Sequence, residues 1–304
     1  MWAITSYFNP ENFQSRYKNY KVFRDKLNIP LITIELSFDN QFQLNNNDAE
    51  ILIQISGGSV LWQKERLLNL ALQKIPQSVE NVAWIDCDVF FELANWSEMA
   101  IDALRQNNII QLFSEAYYLK PNLTDPGSEN IHETKKGLVA SYKNVQLTSE
   151  IPTEWSEEYH PGFAWAAKKS LIIKHGLYDR LIIGGGDSAL AYALYGQYEA
   201  LKIRHFLNDI RYKNYLEWSQ PFNSVINSKI DYVDQKIYHL WHGEIENRQY
   251  YSRHLKLNEL GFDPYNDIDF DDNGLWKWTN ASKEVRLFLL NYFKHRKEDE
   301  FFLE

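Results

Sequence analysis

Two aspartates separated by one residue follow the apolar stretch Val82–Ile85. This stretch has the composition of a buried strand, so Asp86 and Asp88 are predicted to emerge at its carboxyl end. Side chains alternate between the faces of a strand, which predicts both carboxylates on one face and Cys87 on the other. Two such carboxylates repel each other unless a cation lies between them, and hard oxygen ligands suit Mg²⁺ or Mn²⁺. The pair therefore predicts a metal site, with capping of the next turn as the alternative.

A further acid follows three glycines later in the chain. Gly184–Gly186 precede Asp187 at the predicted start of a helix that runs to about Leu194. Glycine permits unusual backbone angles and a close approach of substrate. Asp187 is therefore a candidate general base, and the alternative is that it caps the N-terminus of the helix.

A histidine near the C-terminal end is a candidate to complete the metal site. The apolar stretch Ile237–Trp241 has the pattern of a short strand and is followed by His242 and Gly243. Imidazole commonly joins carboxylates around a divalent ion. His242 is preferred to His239 as the ligand because it lies closer to the predicted strand end.

The elements that must position these residues alternate between strands and helices. Trp2–Tyr7, Leu31–Leu36 and Ile51–Ile55 have strand patterns, whereas Arg16–Leu27 and Leu61–Lys74 carry apolar residues at helical spacing. This order predicts an α/β protein with a doubly wound, mainly parallel sheet and helices on both faces, whose ligands bind at the carboxyl ends of the strands.

The second half of the chain is less regular. Its polar, glycine- and proline-containing stretch Asn122–Lys143 is predicted to be a mobile loop or lid, or else an ordinary surface excursion. The segment Phe262–Thr279 and a helix over Lys283–Arg296 are predicted to form a wrapping tail.

The composition limits the function classes. The 304 residues are 44% hydrophobic and 24% charged, as expected for a globular protein with a full core. A net charge of −9 argues against a general polyanion binder, although Lys168-Lys169, Lys202 with Arg204, and Lys294–Lys297 form local basic clusters. One cysteine, no long apolar run and no leader-like start predict a cytoplasmic protein.

The order of these motifs resembles that of metal-dependent glycosyltransferases of the GT-A fold, over nearly the whole chain. The resemblance implies a Rossmann-like fold in which Mn²⁺ or Mg²⁺ holds the diphosphate of a nucleotide sugar, expected to be a UDP-sugar. It implies that Asp88 is the main metal ligand, that Asp86 contacts the metal or the donor ribose, and that His242 is the late ligand. Asp187 would be the base of an inverting reaction. The chain departs from the commonest family pattern, because one acid follows its glycines instead of an adjacent Glu-Asp pair.

A narrower resemblance rests on the strings Leu61–Asn69, Gly184–Ala191, and His242-Gly243 followed by Arg248, Tyr250 and Arg253. They are similar to those of glycosyltransferase-like proteins encoded by large DNA phages, some of which glycosylate hydroxymethylated pyrimidines in DNA. The resemblance implies an acceptor hydroxyl of that kind, and neither a membrane nor a protein partner is expected.

Four further residues are predicted to bind the donor. Arg66, with Lys64 on the same predicted helix, is a candidate to pair with phosphates, and the alternative is a solvated helix face. Tyr7 and Glu35 lie near the ends of early strands and are candidates for base stacking and ribose hydrogen bonds, or ordinary edge residues.

These inferences predict a single GT-A-like domain over residues 1–304. Residues 1–115 would form the nucleotide-sugar-binding half, and residues 116–304 the acceptor-binding half with its C-terminal tail. The alternatives are a glycan- or saccharide-directed glycosyltransferase of the same fold and a non-catalytic nucleotide-sugar-binding module. A nucleotidyltransferase is disfavoured, because Ser6–Glu11 replaces the glycine-rich basic loop expected after the first strand.

Overall fold

The computed structural model describes residues 1–143 and 159–301. Its strands, in chain order, are β1 (Trp2–Phe8), β2 (Leu31–Ser37), β3 (Ile51–Ser56), β4 (Asn81–Ile85), β5 (Val89–Phe91), β6 (Ile109–Gln111), β7 (Glu115–Leu119), β8 (Ile131–Gly137), β9 (Tyr159–His160), β10 (Ala164–Lys168), β11 (Ile230–Tyr232), β12 (Lys236–His239), β13 (Ile268–Phe270) and β14 (Trp276–Trp278). Its α-helices are α1 (Gln14–Lys26), α2 (Lys64–Leu72), α3 (Trp96–Leu104), α4 (Leu138–Tyr142), α5 (Lys169–His175), α6 (Gly186–Leu194), α7 (Tyr198–Arg204), α8 (Asp209–Ile226), α9 (Ser252–Glu259) and α10 (Lys283–His295).

The central sheet is mainly parallel. Its strand order in the described residues is β11-β6-β10-β4-β1-β2-β3, and β10 runs antiparallel to its neighbours β4 and β6. Because β1 and β4 are parallel neighbours, their carboxyl ends meet at one edge of the sheet. The turn that enters β10 reaches the same edge, since Ala164 pairs with Ile85.

Helices cover both faces of this sheet. Along β1, Ala3 and Tyr7 belong to the hydrophobic cluster that contains residues of α1 and α3, whereas Ile4 and Phe8 belong to the cluster that contains residues of α2 and α6. Every residue of β2 is buried, as expected for a parallel strand covered on two sides. The predicted doubly wound α/β architecture is confirmed.

A second sheet has the order β5-β12-β7-β8-β9 in the described residues. It places β12, which ends at His239, beside β5, which begins one residue after Asp88. Residues that are far apart in the sequence therefore meet next to the carboxyl end of β4.

The stretch Asn122–Lys143 is not the loop or lid that its polarity predicts. It contains β8, which pairs antiparallel with β7, and the short helix α4. The strand Ile131–Gly137 can carry charged residues because most of its side chains are at least partly exposed. Lys135 is the exception among its charged residues, with 4% of its surface exposed. Composition therefore gives a poor signal for this strand.

The C-terminal hairpin of β13 and β14 is tied to the start of α2 by a buried amide. The side chain of Gln63, 0% exposed, donates from Nε2 to the carbonyl of Trp276 at 2.7 Å and accepts from its N–H at 3.1 Å. The predicted wrapping tail therefore packs against the helix that begins at Lys64. Within the described residues, the helices are all too short or too polar to cross a bilayer.

Replacing Gln63 with Leu should destabilise the fold, because the Trp276 N–H would be buried without a partner. The expected loss is about 2 kcal/mol in the free energy of unfolding, measured by urea denaturation. Gln77→Leu, at an exposed position, should change stability little. Equal stabilities of the Gln63 and Gln77 variants would contradict this role of the amide.

Candidate active site

The segment after β4 separates the two aspartates of the Asp86-Cys87-Asp88 motif. The strand ends at Ile85, and the Asp86 N–H donates to the carbonyl of Phe163 at 2.8 Å. Asp88 instead accepts at its backbone carbonyl from the Leu240 N–H at 2.8 Å. The prediction that both carboxylates share one strand face is therefore not met, because the chain turns before Asp88.

Asp88 joins two histidines in a group that can hold a metal ion. Ligand atoms of Asp88, His239 and His242 lie within 4.8 Å of one another. His242 Nε2 is 3.2 Å from Asp88 Oδ2 and 3.1 Å from His239 Nε2. Asp86 is not part of this group, whereas both candidate histidines are.

The state of these side chains fits a metal. Asp88 Oδ1 is buried and has no hydrogen-bond partner among residues 1–143 and 159–301. Burial lowers the pKa of His239 well below its usual value, and His242 and Arg248 add to this effect. Burial and Arg248 also lower the pKa of His242, although Asp88 and Glu298 oppose them. Both imidazoles are therefore held neutral, which is the form that ligates a metal.

Asp86 pairs with a lysine that also holds the candidate base. Lys64 Nζ lies 2.6 Å from Asp86 Oδ1 and 3.2 Å from both carboxylate oxygens of Asp187. Burial by itself would lower the pKa of Lys64, but Asp187 and Asp86 more than offset it and hold that pKa well above its usual value. Desolvation raises the pKa of Asp86 to about 7 against the opposing effect of Lys64, with Asp187 and Asp88 adding to the rise.

The glycine turn before Asp187 is required by close packing. Gly184 and Gly185 have φ angles of 88° and 101°, a region that favours glycine. A Cβ on Gly185 would collide with the His205 ring, and one on Gly186 would collide with the Glu65 carboxyl. The turn therefore seats Asp187 in the first turn of α6, facing Lys64.

Asp86, Asp88, Asp187 and His242 line one cavity of about 970 Å³, which is within the usual range for ligand pockets. Tyr7 also lines it, although its ring is buried and its hydroxyl donates to Gln43 Oε1 at 2.6 Å. Basic side chains outnumber acidic ones around this cavity. They are Arg16, Lys64, Arg204, Arg248, Arg253 and Arg296.

Two predicted donor contacts lie elsewhere. Arg66 faces away from the cavity, with Nε donating to the Gly274 carbonyl and its guanidinium stacked 4.1 Å from the Phe270 ring centre. Residues two apart on a helix point in different directions, so Lys64 reaches the cavity and Arg66 does not. Glu35 is 2% exposed and accepts from the Gln43 N–H at 2.6 Å, so it orders a loop and does not border the cavity.

Sequence reasoning gave His239 second place and assigned no role to Arg16, Arg253, His205 or His254. No sequence pattern pointed to Arg16, His205 or His254 as cavity residues. Arg253 appeared in the sequence only as part of a family resemblance. The fold of the C-terminal half brings His205, Arg253 and His254 to the cavity, whereas Arg16 reaches it from α1.

The metal group predicts different effects for the two aspartates. Asp88→Ala should weaken Mn²⁺ binding by more than about 100-fold, since loss of an outer-shell partner alone typically costs 10–100-fold. Asp86→Asn, whose carboxylate is bound to Lys64, should keep most of the affinity. Isothermal titration with Mn²⁺ and with Mg²⁺ measures the metal affinity of each variant. An equal loss of affinity in the two variants would place Asp86 among the ligands.

Glu65 predicts a pH dependence of stability. Burial raises the pKa of its carboxyl from the usual 4.5 to about 8, although Lys64 opposes the shift. The folded protein therefore binds one more proton than the unfolded chain between these values, so the free energy of unfolding falls as the pH rises from 4.5 to 8. Glu65→Gln should remove this loss, which amounts to about 1.4 kcal/mol per pH unit.

Urea denaturation near the two ends of that pH interval tests this prediction. Glu80→Gln removes an exposed acid and should keep the pH dependence of the natural protein. A Glu65→Gln variant with that same dependence would show that Glu65 ionises normally in the fold.

No protein-family model matches the sequence, and no curated protein matches it. Among solved structures, glucosyl-3-phosphoglycerate synthase from Mycobacterium tuberculosis, in complex with Mn²⁺, UDP and phosphoglyceric acid, is 13% identical with a TM-score of 0.38, over 92% of this chain and 87% of that chain. TarS from S. aureus, in complex with UDP-GlcNAc, is 12% identical with a TM-score of 0.38, over 99% and 72%. The 4-diphosphocytidyl-2C-methyl-D-erythritol synthase from Anaerococcus prevotii is 11% identical with a TM-score of 0.36, over 96% and 97%. Similarity at this level assigns no function, and the fold class rests on the strand order of the chain itself.

Proposed function

We propose that this protein is a metal-dependent glycosyltransferase that moves a hexose from a nucleotide sugar, a UDP-sugar, to a hydroxyl acceptor. One observation carries the proposal. A metal-competent group, Asp88 with His239 and His242, and a lysine-held carboxylate, Asp187, face the same arginine-lined cavity. The cavity lies at the carboxyl ends of β1 and β4, where ligands of doubly wound sheets bind.

The charge of the cavity fits a diphosphate. Arg248 is 9% exposed, and its guanidinium donates to neutral oxygens, the Tyr250 hydroxyl at 3.1 Å and the Gly243 carbonyl at 3.4 Å. Burial and Arg296 would lower the pKa of Arg248, yet Tyr250 and Glu298 raise it above its usual value, so the side chain is cationic. A Mn²⁺ or Mg²⁺ ion on the Asp88 group would stabilise the charge of the leaving diphosphate.

The donor nucleoside is proposed to lie at the end of β1. Tyr7 borders the cavity there, next to Phe8 and Arg16. Asp86 borders the cavity too and is kept as a donor contact, through the hydrogen-bond capacity that Lys64 leaves open on its carboxylate. Arg66 and Glu35 are not part of the proposed donor site, because neither residue lines the cavity.

The transfer itself is a direct displacement. The acceptor hydroxyl loses its proton to the Asp187 carboxylate while its oxygen forms a bond to the anomeric carbon. The bond from that carbon to the diphosphate breaks, and its electron pair leaves with the diphosphate oxygen. Attack opposite the leaving group inverts the anomeric centre. Lys64 orients Asp187 for this role and offsets the repulsion between Asp187 and Asp86.

The acceptor proposed from the sequence resemblance is a 5-hydroxymethylated pyrimidine in DNA. Arg204, from the predicted basic cluster with Lys202, borders the cavity and supports a polyanionic acceptor. Lys168 and Lys169 do not line the cavity. Their ammonium groups bind Asn108 and the backbone carbonyls of Pro76 and Gln77. A saccharide acceptor and a non-catalytic nucleotide-sugar-binding module are the alternatives.

Asp187→Asn should abolish turnover and leave donor binding intact, because the amide cannot accept the proton. We expect at least about a 100-fold loss of sugar transfer, as is typical of a general base. The assay follows release of nucleoside diphosphate from a panel of nucleotide sugars with Mn²⁺ or chelator, with hydroxymethylated DNA and a saccharide mixture as parallel acceptors.

Asp272→Asn, at an exposed acid outside the cavity, is the matched control and should keep full activity. Metal-dependent donor binding without any release would favour the binding module. Full turnover in Asp187→Asn would exclude this residue as the base.

A further inference from the structure

One corner of the cavity gathers cations and imidazoles beside the glycine turn. We define the anion corner as Arg253, His205 and His254, all of which line the cavity. Arg253 packs on the turn itself, since a Cβ on Gly184 would lie 3.2 Å from its Nη2. His205 packs on the next residue, Gly185, so the anion corner is adjacent to Asp187.

Arg253 is buried without a counter-charge. It is 4% exposed, and no carboxylate of residues 1–143 or 159–301 lies within 4.0 Å of its guanidinium nitrogens. Its Nη1 donates to the Arg248 carbonyl and the Tyr292 hydroxyl, whereas its Nε is buried with no partner in the described part of the chain. A buried, unpaired charge is destabilising by several kcal/mol on the usual scale.

The two histidines are neutral and incompletely hydrogen-bonded. Their rings stack at 3.9 Å with an interplanar angle of 6°. Burial lowers the pKa of both well below the usual value, and neighbouring arginines, Arg253 among them, add to the effect. The Nδ1 atoms of both rings are buried and lack a partner among the described residues.

The potential in this region is positive. Burial alone would raise the pKa of the Tyr292 hydroxyl, but Arg253 and Arg296 more than offset it and bring that pKa below its usual value. Arg211 lies near the two imidazoles, 2% exposed, and burial lowers its pKa to about 10. A group that must be held next to this corner is therefore expected to be an anion.

We propose that the anion corner binds a phosphate group of the acceptor while the acceptor hydroxyl reaches Asp187. A guanidinium fork on one side and two imidazoles on another suit a tetrahedral oxyanion with three or four acceptor oxygens better than a planar carboxylate. The assignment to the acceptor rests on the proposed function, because Asp187 is its base. A phosphomonoester of a small molecule and a phosphodiester of nucleic acid offer this same chemistry.

Inorganic phosphate is the first probe, because it tests the corner without donor or metal. In the full-length protein with labelled histidines, imidazole NMR signals of His205 and His254 should shift in a saturable way as phosphate is added. The signals are assigned with His205→Gln and His254→Gln. Signals that do not respond to phosphate would overturn the inference.

Arg253→Gln should weaken phosphate binding at least about tenfold, since it removes a charge-assisted, bidentate donor. Arg286→Gln is the matched control, because this arginine binds the carbonyls of Ala281 and Thr279 outside the cavity. Arg253→Lys keeps the charge without the fork and gives a second readout if the glutamine variant fails to fold. Unchanged phosphate affinity in the folded Arg253 variants would also overturn the inference.

The source of the phosphate is then resolved by competition. Glycerol 3-phosphate and a short hydroxymethylated oligonucleotide are each titrated against bound phosphate, with glycerol as the uncharged control. Displacement by the first identifies a small phosphorylated acceptor, and displacement by the second identifies nucleic acid. Phosphate binding without any sugar transfer would contradict the proposed function but support phosphate binding at the anion corner. Sugar transfer without phosphate binding would support the proposed function and contradict the inference about the anion corner.

Discussion

The arrangement of the cavity depends on one buried ammonium. Lys64 Nζ joins the carboxyl end of β4, through Asp86, to the glycine turn before α6, through Asp187. Removing the ammonium would leave two partly buried carboxylates without compensation, which is destabilising. Lys64 begins α2, whose Leu67 and Leu68 pack on the sheet, so the bridge is held by the core. The helix that fixes the ammonium also supplies Glu65, which fills the space beneath Gly186. A single helix start therefore sets the distance between Asp86, at the carboxyl end of β4, and the candidate base Asp187.

The same bridge explains how three aspartates share one cavity. Asp86 and Asp187 are both compensated by Lys64, whereas Asp88 lies beyond the turn, against His242 and His239. Two backbone hydrogen bonds keep the aspartates apart, one from Asp86 to the β10 entry and one from Leu240 to Asp88. Neutral imidazoles give Asp88 little electrostatic compensation. A divalent cation at this group would supply the missing positive charge, and the neutral state of the imidazoles leaves their nitrogens available to it.

Sequence patterns predicted the parallel strands β1 to β4 and a site at their carboxyl ends, but not β11 at the edge of the sheet. Apolar periodicity predicted these strands and the helices α1 and α2, and the rule that ligands bind at the carboxyl ends of parallel strands predicted a site at Asp86 and Asp88. Asp187 and His242 were joined to that site by their side-chain chemistry and by the family resemblance. The remaining errors have physical causes. Asp86 lies outside the group of Asp88, His239 and His242 because β4 ends at Ile85 and the chain turns before Asp88. The sequence favoured Arg66 over Lys64 as the phosphate contact. This was wrong because packing sets the rotation of α2 about its axis, and the sequence alone does not specify that rotation. Strand β8 was missed because polar or charged side chains occupy five of its seven positions.

The chain is acidic overall, yet its cavity is cationic, and the C-terminal segment controls how much of that charge is compensated. Glu298 is 0% exposed and pairs with Arg16 at 2.6 Å and with Arg296. Burial alone would raise the pKa of Glu298, but these two arginines hold it well below its usual value. With Glu298 engaged in this way, Arg248 and Arg253 have no ion pair among the described residues. An anion that binds them offsets the cost of burying two unpaired guanidinium groups, so ligand affinity and the stability of the C-terminal segment are linked through these groups.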